Sequence, residues 1–212
     1  MSQPTDATPG PTAGRTLAVL LAAGAGSRFG GTTHKLAARL DGEAVLTHAI
    51  RAALTADIGP VVVVTGAHEP ALDAFSDAVA AGRLTTLPNP NWAEGQSTSL
   101  TAAVEHADAV GADVVVVGLG DQPFVTPEAW RRVAAADAPI AAADYGHGPR
   151  NPVRLARSIW PLLPRSGDRG AGPLISLRPD LVERVPCDGS PSDIDTLEDL
   201  HSWQKRSSTN SR

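Results

Sequence analysis

The sequence predicts an α/β fold: a single-domain, doubly wound, mostly parallel sheet with a short antiparallel edge region. Three observations predict it. Val61–Val64 and Val114–Val117 are continuous valine runs, apolar on both sides as strands of a sheet covered on two faces are. Apolar runs alternate with amphipathic stretches in the order βαβαβαβαβ, and parallel strands need such crossovers, nearly always right-handed. The chain has 212 residues, 42% of them hydrophobic, which suits one domain with a sizeable core.

Residues 1–14 are rich in Ser, Thr, Pro and Gly, lack periodicity, and read as a disordered tail; residues 206–212 read the same way, leaving a domain over 15–205. The first strand is expected over Leu17–Ala23, running into a glycine loop. A helix over Glu43–Ala56 places Val45, Leu46, Ala49, Ala53 and Leu54 on one stripe. A strand at Val61–Thr65 precedes a helix at Pro70–Ala80 and a strand at Leu84–Leu87. The helix expected at Thr98–Ala109 leads to the strand Val114–Leu119. Thr126-Pro127-Glu128 then offers an N-cap, a first-turn proline and a first-turn acid for a helix to Ala136. A strand at Pro139–Ala143 is followed by a loop over 144–155 ending in a short edge strand at Val153–Leu155. Residues 182–186 read as another short strand, and a helix from about Thr196 to Gln204 closes the chain.

Composition narrows the function. Eighteen Lys and Arg stand against 23 Asp and Glu, a net charge of −5, which gives no general attraction to nucleic acid or to an anionic membrane. The single cysteine, Cys187, excludes a disulfide scaffold and a cysteine-based zinc cluster. No apolar run approaches the roughly 18 residues of a membrane span. The stretch from Arg15 to Ser27 imitates a signal peptide, but a buried strand entering a glycine loop accounts for it with Arg28 and Lys35 just beyond, and the expected location is cytoplasmic.

In such sheets ligands sit at the carboxyl ends of the strands, and three of those ends carry unusual chemistry. The first is Gly24-Ala-Gly-Ser-Arg28-Phe29-Gly30, with Lys35 after it. Glycines let backbone N–H groups surround phosphate oxygens, and the two cations can meet their charge. The lysine of a P-loop and the third glycine of a dinucleotide fingerprint are both missing. An ordinary βα turn with surface cations is the plain alternative. Gly66, after the second strand, is either a site of close ligand approach or a turn glycine. Asn89-Pro-Asn-Trp-Ala-Glu-Gly95-Gln-Ser97 offers backbone N–H groups and hydroxyls at a helix start, or merely capping by Ser97.

The third end is Gly120-Asp121-Gln122. A carboxylate at the end of a buried strand needs a cation or donors to offset its desolvation, and Mg²⁺ commonly bridges one or two carboxylates to nucleotide phosphates; a turn-forming role is the alternative. Asp193 and Asp195 would face one side of an extended segment, and Asp195 with Glu198 also reads as a capping box. Asp168-Arg169 reads as a loop ion pair. The six histidines read as structural or surface groups, and Gly118-Leu-Gly120 lacks a serine nucleophile, so covalent catalysis has no support.

Leu20-Leu-Ala-Ala-Gly-Ala-Gly-Ser-Arg-Phe-Gly30 with Lys35-Leu36 resembles the signature of the MobA-like nucleotidyltransferases. The Ala22-Ala23 variant looks most like their MocA group, the molybdenum cofactor cytidylyltransferases. Asn89 to Leu100, Gly118 to Pro127, Asp193-Ile-Asp-Thr-Leu-Glu-Asp-Leu200 and the segments around Asn151 and Asp168 extend the resemblance over residues 16–203. It implies a Rossmann-like nucleotidyltransferase fold. The resemblance also implies nucleotide binding by Leu21, Ala22, Ala23, Gly24, Arg28, Lys35, Gly66, Asn89, Gly95 and Ser97. Catalysis would fall to Arg28, Lys35 and Asp121, with Mg²⁺ (or Mn²⁺) on Asp121 and Asp195. The acceptor would meet Asn151, Asp168 and Arg169. The implied reaction transfers CMP from CTP to the phosphate of molybdopterin and releases pyrophosphate. A molybdoenzyme or its maturation chaperone is the implied partner. The alternatives are a GTP-using enzyme, another phosphorylated acceptor, or a non-catalytic cofactor carrier. The sequence departs from the family pattern with Phe29 for methionine, Asn151 for histidine, Gly172 for a second arginine and Leu197 for proline.

Overall fold

The computed structural model describes residues 15–30 and 33–210, with side chains described to Lys205. The expected tail at 1–14 and the last two residues lie outside the described residues. Nine strands and six helices follow one another: β1 (Thr16–Leu21), β2 (Arg39–Leu40), β3 (Glu43–Ala44), α1 (Val45–Ala56), β4 (Val61–Thr65), α2 (Ser76–Ala80), β5 (Leu84–Pro88), α3 (Gln96–Ala109), β6 (Val114–Leu119), α4 (Pro127–Ala134), β7 (Ile140–Asp144), β8 (Pro149–Ala156), α5 (Gly172–Leu177), β9 (Val182–Pro186) and α6 (Leu197–Asn210).

Seven strands form one sheet in the order β5-β4-β1-β6-β8-β7-β9. The interior strand β1 pairs in parallel with β4 (Ala18 opposite Val61) and with β6 (Ala18 opposite Val116). Alternation splits its side chains between two cores. Ala18 and Leu20 pack under α1 and α4 with Leu46, Ile50, Ala53, Trp130 and Val133. Leu17, Val19 and Leu21 pack on the opposite face with Leu100, Ala103 and Ala107 of α3 and with Trp160 and Leu174. This is the doubly wound α/β arrangement that the valine runs predict. Among the described residues no helix is long and apolar enough to cross a membrane.

The antiparallel element differs from expectation. It is no edge strand: β8 spans eight residues and lies inside the sheet, antiparallel to both β6 and β7. Pro152 would break an ordinary interior ladder because it lacks an N–H. Here the β7 ladder shifts register at that point, pairing Val153 with Ala142 and Arg150 with Ala143, while the β6 ladder begins only at Val153. The edge is instead β9, parallel to β7.

Further boundaries move. Glu43 and Ala44 belong to a small hairpin with Arg39 and Leu40, so α1 starts at Val45; Asp41 and Gly42 both take positive φ, the signature of a two-residue hairpin turn. Of the stretch 70–80 only Ser76–Ala80 is α-helical, after a 3₁₀ turn at Asp73–Phe75. Residues 172–177, for which the sequence reading gives no element, form α5. The closing helix runs on to Asn210 rather than stopping near Gln204, since each residue added to an established helix gains a hydrogen bond.

Candidate active site

Strand order explains where the cleft lies. After β1 the chain adds β4 and β5 on one side, then returns to lay β6 on the other. The loops leaving β1 and β6 therefore diverge, and a crevice opens at their carboxyl ends. It is a cavity of about 590 Å³ walled by the glycine loop from Leu21 to Arg28, by Lys35, by the Trp92–Gln96 segment and by Asp121, Asp193 and Asp195.

The glycine loop is held from below. The Ala22 N–H donates to the Val64 carbonyl, and the Ala67 N–H donates to the Ala23 carbonyl. His34 braces it from the side: its Nδ1 accepts from the Leu36 N–H at 3.3 Å, so Nε2 carries the proton and donates to the Gly24 carbonyl at 3.0 Å. The His34 ring stacks on His68, centroids 4.6 Å apart.

Four charged side chains from three parts of the chain meet across the cleft. The Lys35 ammonium lies 2.5 Å from Asp121 Oδ2 and 2.8 Å from Asp195 Oδ1. Arg28, 77% exposed at the mouth, reaches the other Asp195 oxygen at 3.0 Å. Burial pulls the Lys35 pKa down, but the charge and hydrogen bond of Asp121, joined by those of Asp195, outweigh it and the net displacement is upward. Asp193 stands beside this group; desolvation and then the Asp121 charge push its carboxyl up, against a hydrogen bond from Gln122 Nε2 at 2.7 Å.

The donor set suits a divalent cation. Two carboxylates converge on one positive charge, and the second Asp121 oxygen, Oδ1, is buried without a hydrogen-bond partner. Among the described residues no three His, Cys, Asp or Glu side chains form a ready metal cage. Mg²⁺ takes one or two protein carboxylates and completes its octahedron with water and phosphate oxygens, so Asp121 and Asp195 are the residues that would hold it.

The capping at the end of this site is shifted by one residue from expectation. Thr196, not Asp195, caps α6. The Asp199 N–H donates to Thr196 Oγ1, while Asp199 Oδ2 accepts from the backbone N–H groups of Thr196 and Asp195. Asp199, rather than Glu198, is the reciprocal partner. The shift leaves the Asp195 carboxylate wholly available to Lys35 and Arg28.

The structure brings together Leu21, Ala22, Ala23, Gly24, Arg28, Lys35, Gly95, Asp121, Asp168 and Asp195 around one cleft. Three expected nucleotide contacts lie elsewhere. Gly66 is packed shut: a Cβ there would sit 2.6 Å from Trp92 Cβ and 2.7 Å from the Ala23 carbonyl. Asn89 is buried, donating to Thr98 and Ser99 hydroxyls and accepting from the Asn91 N–H, so it shapes the loop rather than touching a ligand. Ser97 is 1% exposed and gives its N–H to Gly167.

Asn151 and Arg169 line a second cavity of about 180 Å³ that shares Leu21, Gln96 and Leu119 with the main cleft. Its floor is apolar, from Leu100, Val117, Val153 and Leu155, and its rim adds Arg150. Asp168 faces the main cleft and Arg169 this one, so the expected loop ion pair is not formed. Ser99, read from the sequence with Ser97 as a hydroxyl at this helix start, does line the cleft. Sequence reasoning missed Gln96, Trp92 and Arg150. Gln96 lies between Gly95 and Ser97 and Arg150 precedes Asn151, but only the closed loops show which neighbour faces inward.

Residues 18–184 match the family model of the MobA-like NTP transferase domain. The chain is 31% identical over 144 residues to the bifunctional protein GlmU of Dinoroseobacter shibae, covering 66% of this chain but about a third of that one. It is 28% identical over 196 residues to the purine catabolism protein PucB of Bacillus subtilis, covering 86% of this chain and 93% of the other. Among solved structures, Rv0371c of Mycobacterium tuberculosis superposes with a TM-score of 0.71 at 26% identity, over 92% of this chain and all of its own. The same protein complexed with manganese gives 0.66 at 25% identity, over 90% of this chain and 98% of its own. With the fold, the glycine cradle and the paired aspartates already in place, the chain belongs to the MobA-like NTP transferase domain family.

Proposed function

We propose that the chain is a Mg²⁺-dependent cytidylyltransferase, transferring CMP from CTP to the phosphate of a molybdopterin-type acceptor with release of pyrophosphate. The observation that carries this reading is the meeting of the glycine loop, Arg28, Lys35, Asp121 and Asp195 at one rim of the sheet. An acceptor phosphate oxygen bonds to the α-phosphorus as the bond to the bridging oxygen breaks, and pyrophosphate carries away the electron pair. Such chemistry asks for positioning and charge neutralisation more than for proton transfer. The backbone of Ala23 and Gly24, which lines the cleft, would meet the nucleotide, the Ala22 N–H being taken by the Val64 carbonyl. Arg28 and Lys35 supply two positive charges for its phosphates, Lys35 turning to them from the carboxylates. Asp121 and Asp195 would hold the metal ion, which when bound neutralises charge on the reacting phosphoryl group.

The acceptor is assigned to the adjoining cavity. An apolar floor suits a flat heterocyclic body, and Arg150, Asn151 and Arg169 at its rim suit a phosphate. This work belongs in the cytoplasm, with a molybdoenzyme or its maturation chaperone receiving the product.

The test is a pyrophosphate assay with Mg²⁺, molybdopterin and each of the four NTPs. Release with CTP alone is expected. Release with GTP instead would reassign the base and leave the chemistry standing. No release with any NTP would overturn the proposal.

A further inference from the structure

We infer that Ile194 is a positioning residue for the metal-holding carboxylates. This rests on the proposed role of Asp121 and Asp195. Ile194 stands between two acids yet is 0% exposed. Its side chain enters a hydrophobic knot separate from the two sheet cores, made with Phe29, Leu40, Val45 and Leu200 and covered by Phe124 and Trp203. Those two rings stack with centroids 3.8 Å apart. The knot is local to the site. Phe29 follows Arg28, Phe124 lies three residues past Asp121, and Ile194 precedes Asp195, so one apolar cluster anchors three chain segments that each carry a charged group of the cleft.

A backbone bond adds a direct tie, because the Ile194 N–H donates to the Asp121 carbonyl at 2.9 Å. Alternation then sets direction: with Ile194 driven into the knot, its neighbours are turned the other way, towards Lys35 and Gln122. The capping box at Thr196 and Asp199 fixes the far side. Asp195 is thus held between a buried plug and a helix cap, which sets where its carboxylate stands relative to Asp121.

Shortening Ile194 should therefore loosen metal binding in a way that an equal loss of packing elsewhere in the knot does not. Leu200, 6% exposed and in the same cluster, is the control. Mn²⁺ affinity is read by electron paramagnetic resonance in the presence of a non-reacting CTP analogue, alongside thermal melting. Ile194→Ala and Leu200→Ala both lower the melting temperature. Ile194→Ala weakens Mn²⁺ about tenfold, the effect typical of losing a group that orients a metal ligand. Leu200→Ala leaves Mn²⁺ affinity within about twofold, and Ile194→Val recovers most of the loss. Equal weakening in the two alanine variants, or none in Ile194→Ala, would overturn the inference. Should Ile194→Ala not fold, Ile194→Val against Leu200→Val makes the same comparison with a smaller expected difference. Failure of wild type itself to bind Mn²⁺ with the analogue would overturn the metal reading of Asp121 and Asp195, and the inference with it.

Discussion

Lys35 holds two carboxylates at once with its side chain only 12% exposed. Its pKa is raised above the ordinary 10.5, so any stability it contributes is complete below that pH and is lost only as pH climbs through the still higher folded value. Across pH 6–9 the ammonium is a fixed charge, and under the proposed function it competes directly with the divalent cation. Lys35→Met should then bind Mn²⁺ without nucleotide at least about tenfold more tightly than wild type, while turnover drops about 10²–10³-fold for want of a phosphate-binding cation. Metal titration and the pyrophosphate assay check both halves. His68 behaves oppositely. Partial burial, then the neighbouring His34, hold its pKa below 6.5. Below that pH the unfolded chain binds more protons than the folded one, so stability is present above pH 6.5 and is lost as pH falls through the folded value. The fall in melting temperature between pH 7.5 and 5.5 should be smaller in His68→Asn than in wild type.

Elements transmit sequence to the site with unequal clarity. Gly66, just after β4, supports the cleft wall by omission: its missing Cβ lets Trp92 and the Ala23 carbonyl close over it. Gly66→Ala must push one of them aside, and overpacking of this kind costs about 1–3 kcal/mol. The expected outcome is a lowered urea midpoint together with a raised KM for the nucleotide, since Ala23 and Trp92 both face the cleft. β4 and β6 are legible to the residue, because a run of β-branched side chains apolar on both faces has no good helical competitor. β8 is not, because its two prolines argue against an interior strand and the register shift that tolerates them depends on β7. The cap of α6 shows the same limit at one-residue scale. Asp195 and Thr196 are both good N-caps, and only the pull of Lys35 and Arg28 on Asp195 decides between them. Asp41-Gly42, by contrast, is a hairpin signal present in the sequence and passed over in favour of a longer helix.

At the scale of the whole molecule, strand order converts scattered residues into one site. Residues 24–28, 35, 121 and 195 come from distant parts of the chain, yet the loop leaving β1, the loop leaving β6 and the segment entering α6 share one rim. The rim was legible because ligands collect where the winding of an open sheet reverses; the inward or outward aim of Asn89, Ser97 and Gly66 was not, because it depends on how three loops close on one another. A site assembled from distant segments couples ligand binding to global stability, since unfolding separates its parts. A ligand at a hundred times its dissociation constant stabilises the folded state by about 2.7 kcal/mol. For a domain of this size each kcal/mol is worth about 2–4 °C, so saturating Mg²⁺ with CTP should raise the melting temperature by roughly 5–11 °C. The gain should need both components. Metal alone must displace the Lys35 ammonium, and nucleotide alone brings its negative charge towards Asp121, Asp193 and Asp195 with only Arg28 and Lys35 to offset it. Either one separately should give under half of the joint shift, and in Asp121→Asn the metal should add nothing to the nucleotide. Equal shifts with Mg²⁺·CTP and with CTP in excess chelator would show instead that the carboxylates hold the lysine and nothing else.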